Sequence, residues 1–167
     1  MKHKPLSKIG KFLIKLDAYK ICIVDDEEIY FNTKMLTAAK KAGFEKIDRY
    51  TIVNSRLHNK MLTDYYDLII LDIKGCTDEE VARDGLSLAA SLSKRISSYI
   101  AITSAHQYHL SNETITADYV IENRSLTNVD FIEVLHIMVA DSLEKKVKWY
   151  KKILFKIGFS LLKKNIS

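Results

Sequence analysis

The chain has 167 residues, 47% of them hydrophobic and 28% charged, which fits one ordinary globular domain with a sizeable core and an extension. Two cysteines are too few for a disulfide framework and point to a reducing compartment, and no run of 18 apolar residues reads as a membrane span. The net charge of +5 hides a partition: residues 1–20 carry +5 and residues 144–167 carry +7, so the 123 residues between them carry −7.

Taken in chain order, short apolar runs alternate with longer amphipathic segments. The N-terminal stretch "PLSKIGKFLIKL" sets Ile9, Phe12, Leu13 and Leu16 among lysines, without the cleavage pattern of a secretion signal. A first strand is expected over 19–24, then helix over 29–42, with Gly43 as its stop. Strand over 47–50, helix over 54–63 and strand over 68–71 follow. Helix over 85–93, strand over 100–103, a short helix over 106–113 and strand over 119–121 complete the series. Five such repeats predict an α/β fold, a doubly wound five-stranded parallel sheet with helices on both faces. From Val129 onward, apolar residues recur at steps of three and four for about eight turns, predicting an extended C-terminal amphipathic helix. The organisation is read as a basic extension over 1–17, a domain over 18–140 and a basic amphipathic extension over 141–167.

The first strand ends in four carboxylates, "ICIVDDEE". Adjacent like charges repel, so a cation or solvent must compensate. In a parallel α/β sheet, ligands bind at the carboxyl ends of strands. Asp25 and Asp26 follow the first strand, Asp72 the third, and Thr103 ends the fourth, so all converge on one edge. Such an oxygen-rich cup suits a hard divalent cation. A carboxylate beside bound magnesium can accept a phosphoryl group while a nearby hydroxyl donates to one of its oxygens.

The combination of "ICIVDDE", "YDLIILDI", "IAITSAH" and "ADYVIEN", over about residues 18–140, resembles the receiver domain of two-component response regulators. The resemblance implies a flavodoxin-like receiver fold, Asp72 as phospho-acceptor, and Mg2+ held by Asp25, Asp26, Asp72 and the backbone carbonyl of Lys74. It implies Thr103 as switch hydroxyl and Tyr119 as switch aromatic. It also implies a cytoplasmic phosphorelay protein that takes its phosphoryl group from a histidine kinase or phosphotransfer protein. Such a domain is no enzyme beyond self-phosphorylation from small donors and self-dephosphorylation. Two departures stand out. Glu122 and Asn123 occupy the positions of the family's Lys and Pro, with Arg124 two residues after the glutamate. The loop 73–84 is long and acidic, and reads as a solvated, mobile segment in preference to further metal ligands or a partner surface. The competing reading is a phosphorylation-independent pseudo-receiver acting as an interaction or membrane-surface adaptor.

Three occupants compete for the apolar arc of the last helix: this domain, a second copy or another protein; an anionic membrane surface; and, with no motif to support it, nucleic acid. With no recognisable DNA-binding output domain, signalling is expected to pass through protein contacts. His58, His106, His109 and His136 form no metal set, and His136 reads as a partly buried core residue.

Overall fold

The computed structural model describes residues 15–103, 116–121 and 126–164, with backbone alone from 148 onward. A short 3-10 turn, Leu16–Ala18, leads into strand β1 (Lys20–Val24). Helix α1 (Thr33–Lys41), β2 (Lys46–Tyr50), α2 (Ser55–Leu62), β3 (Leu68–Asp72), α3 (Gly85–Leu92), β4 (Tyr99–Thr103), β5 (Tyr119–Ile121) and α4 (Asn128–Lys164) follow in order. The five strands are all parallel, in the order β2-β1-β3-β4-β5. Chain order reverses between β1 and β3, which makes the crevice above those two strands the topological switch point.

Strand period 2 sorts the core into two layers. Ile21, Ile23, Leu68, Ile70 and Ala101 face α1 and α4, meeting Met35, Ala39, Phe131, Leu135 and Met138. Cys22, Val24, Ile69, Leu71 and Ile102 face α2 and α3, meeting Leu57, Met61, Leu88 and Leu92. Both faces being covered explains why β1, β3 and β4 read as continuous apolar runs.

Helix starts lie where a side chain caps the first turn. Asn32, Asn54 and Asp84 each accept a hydrogen bond from the backbone N–H three residues on, at 3.1, 3.0 and 2.8 Å. The cap at Asn32 therefore begins α1 four residues later than the apolar pattern alone places it. Residues 29–31 instead belong to a turn in which the Tyr30 N–H reaches the Glu27 carbonyl. The helix expected over 106–113 lies outside the described residues, as do residues 1–14.

Helix α4 runs unbroken for 37 residues, through Gly158, a length of about 55 Å. Its first half packs on the sheet through Phe131, Leu135, Met138 and Val139, and Ser142 is the last buried residue among the described side chains. Lys145 then pairs with Asp118 at 2.6 Å and Lys146 with Asp67 at 2.5 Å. Lys145 also donates to the Ser98 carbonyl at 2.7 Å. Asp67, Ser98 and Asp118 immediately precede β3, β4 and β5, so the helix is pinned to the edge where the strands begin. At the other end of the chain, Leu16 packs against the core.

Candidate functional site

The site is built at the opposite edge. The Asp25 N–H donates to the Tyr50 carbonyl at 3.0 Å, continuing the β1–β2 ladder one residue past the strand. That bond holds Asp25 in a fully buried position, while Asp26 beside it is exposed. One Asp25 carboxylate oxygen caps the turn by accepting from the Glu27 N–H at 2.9 Å. Its backbone carbonyl accepts from Arg49 Nη2 at 3.2 Å. Asp72 ends β3, only 4% exposed, in register with Thr103 on β4. Its Oδ1 accepts from the Ile73 N–H at 2.8 Å. Among the described residues, Asp25, Asp26 and Asp72 form the one group suited to a metal, each offering an oxygen within 4.8 Å of the others'.

The loop after β3 is shaped around these carboxylates. Gly75 has φ +72°, and a Cβ there would run into the Asp26 carboxylate. A Cβ at Gly85 would run into the Asp72 carbonyl. The same carbonyl accepts from the Cys76 thiol at 2.8 Å. The Gly85 N–H donates to the Ile73 carbonyl at 2.9 Å, closing the loop on itself. Val53 donates to the Cys76 carbonyl at 2.7 Å, and Asp78 donates to the Val53 carbonyl at 3.1 Å. The loop is solvated at Glu79 and Glu80, as expected, while backbone bonds tie it to residue 53 and Ile73 and Cys76 are buried. Asp84 caps α3, and none of the loop's acidic side chains joins the three-aspartate group.

Burial, reinforced by the negative charge of Asp72, Asp26 and Asp25, pushes the Cys76 thiol up to about 12, so it stays protonated as a donor. Thr103 is fully buried, and its hydroxyl has no hydrogen-bond partner among the described residues. An orphaned buried hydroxyl costs about 1–3 kcal/mol. It lies across from Asp72 in the β3–β4 register.

Three carboxylate oxygens gathered at one point fit a hard divalent cation such as magnesium, whose charge would offset their mutual repulsion. Lys74 lies exposed in the loop beside them. Tyr119 opens β5, half-buried against the α1–α4 core layer. Glu122, Asn123 and Arg124 lie outside the described residues, as do His106 and His109. His136 is half-buried with its ring 5.2 Å from that of Phe44, matching its reading as a core residue. Sequence reasoning missed the contacts of Gly75 and Gly85 with the two aspartates. The glycines themselves were visible, but what a Cβ would meet was not.

No family model matches the chain, and no curated protein sequence does. Solved structures do. The chain is similar to a CheY-like response regulator receiver domain from Methylobacillus flagellatus, with TM-score 0.55 and 21% identity over 72% of this chain and 98% of that one. It is similar to a two-component transcriptional regulator from Clostridium phytofermentans, with TM-score 0.57 and 16% identity over 77% and 98%. It is also similar to the BeF3-activated N-terminal receiver domain of RstA from Klebsiella pneumoniae, with TM-score 0.51 and 19% identity over 71% and 97%. The likeness is one of fold: this chain has the doubly wound receiver fold.

Proposed function

We propose that this chain is a phosphorelay receiver in which Asp72 accepts a phosphoryl group. The observation that carries the reading is the meeting, at the switch point of a receiver fold, of a buried Asp72 with Asp25, Asp26 and the unpartnered Thr103 hydroxyl. An oxygen of the Asp72 carboxylate forms the new bond to phosphorus. The bond from phosphorus to the donor breaks: a nitrogen of a phosphohistidine, or an oxygen of a small acyl phosphate. The imidazole leaves with its bonding pair and takes a proton from solvent; an acyl phosphate leaves as a carboxylate. Asp25, Asp26, Asp72 and the Lys74 carbonyl would hold magnesium, which when bound supplies neutralising charge for the phosphoryl oxygens. Thr103 donates its hydroxyl proton to one phosphoryl oxygen, and Tyr119 responds at the neighbouring strand. The donor would be a histidine kinase or phosphotransfer protein in the cytoplasm, and the output a protein contact.

The test is intact-protein mass after incubation with magnesium and a small acyl phosphate. Wild type gains one phosphoryl group, and Asp72→Asn gains none. No gain, together with no change on adding beryllofluoride, overturns the proposal. Glu122 stands where the family carries a lysine that pairs with the phosphoryl group. Glu122→Lys therefore raises the phosphorylated fraction at a fixed donor concentration, read in the same mass spectrum.

A further inference from the structure

Among the described side chains of α4, the last to join a core layer is Val139, and the helix backbone runs on to Lys164. Residues 145–164 hold eight lysines and no aspartate or glutamate. Lys145 and Lys146 pair with Asp118 and Asp67, and six further lysines follow along the helix. At 100° per residue, Val147, Ile153, Leu154, Phe155, Ile157 and Leu161 fall within an arc of about 200°. Lys148, Lys152, Lys156 and Lys163 fall within about 80° on the opposite side. Lys151 and Lys164 interrupt or border the apolar arc, and a lysine's long apolar stem is compatible with that position. The arc begins uncovered: Leu143 and Val147 are 40% and 53% exposed.

We infer that this half-helix lies on an anionic lipid bilayer. A wide apolar face backed by a lysine-rich face, with Trp149 at their boundary, is the pattern of an interfacial helix, and Phe159 falls within the lysine arc. No helix of the described residues is long and apolar enough to cross a membrane, so the helix rests in the surface. A second copy fits less well. The seam Val147, Tyr150, Leu154, Ile157 and Leu161 has coiled-coil steps. It leaves Ile153 and Phe155 outside. The geometry leaves the acceptor site accessible. The helix departs at the edge where the strands begin, and Asp72 lies at the edge where they end.

The experiment uses the full chain with phosphatidylcholine vesicles, with and without about a third phosphatidylserine. The expected result is co-sedimentation with the anionic vesicles alone, a blue shift in emission from Trp149, the chain's single tryptophan, and weakening by salt. Replacing Lys152, Lys156 and Lys163 by Gln lowers partitioning about a hundredfold. The double variant Leu154→Glu, Ile157→Glu abolishes it while unfolding at the wild-type midpoint. The inference is overturned if the folded chain ignores anionic vesicles or binds both kinds equally. It is also overturned if the double variant still binds. A lipid-free dimer that the double variant dissolves overturns it in favour of a coiled coil.

Discussion

At the residue scale the site depends on atoms that are absent as much as on those present. Gly75→Ala imposes both a positive φ and a collision with the Asp26 carboxylate. It should destabilise by about 1–3 kcal/mol and weaken magnesium binding, read as a smaller magnesium-induced rise in melting temperature. Thr103→Val removes the orphaned hydroxyl while nearly keeping the shape. It should raise stability to urea by about 1 kcal/mol while slowing acyl-phosphate labelling. Unchanged labelling with higher stability would remove Thr103 from the site. These two residues differ in legibility. Thr103 could be placed from sequence because it ends an apolar run. The role of Gly75 could not, because Asp26 is 49 positions away and only folding brings them together.

At the scale of elements, α3 shows one acidic residue of the loop serving the backbone of the next helix. Burial raises the Asp84 carboxyl, but the Ser87 hydroxyl and N–H and the neighbouring Arg83 outweigh it, leaving the group below its ordinary value. A carboxyl depressed in the folded state contributes stability above its unfolded pKa and loses that contribution as pH falls through its folded value. Asp84→Ala should therefore cost about 1 kcal/mol at neutral pH. The difference from wild type should shrink as pH falls below about 4 and vanish only below the depressed folded value. Urea unfolding of both proteins at two pH values checks this. The start of α3 at Gly85 was readable from its apolar pattern. The capping bond from Ser87 is local, three residues on, while the loop's bonds to Val53 are not. In α4, the periodic pattern foretold the length. It did not foretell that contact with the sheet reaches Lys146, because Asp67 and Asp118 are remote in sequence.

At the scale of the whole molecule, the charge partition is resolved in part by folding. Two lysines of the basic C-terminal segment pair with aspartates of the acidic body, each pair about a quarter exposed. Such partly exposed pairs contribute about 1 kcal/mol or less each, so they orient the helix more than they hold the domain together. The opposite edge retains its gathered carboxylates. Magnesium at about a hundred times its Kd should add about 2.7 kcal/mol to the unfolding free energy, and Asp25→Asn should remove most of that gain. Thermal unfolding across a magnesium titration measures it.

The alternation of strands and helices, the parallel sheet and the edge shared by Asp25, Asp26, Asp72 and Thr103 were legible along the chain alone. Side-chain period and strand ends are local properties, and a doubly wound sheet leaves a strand-end residue little choice of edge. Only the tertiary structure decided which carboxylates gather, that the acidic loop is tied down, that Gly75 and Gly85 make room for the aspartates, and where α4 is pinned. Each of those depends on the approach of groups far apart in the chain, and no periodicity encodes that approach.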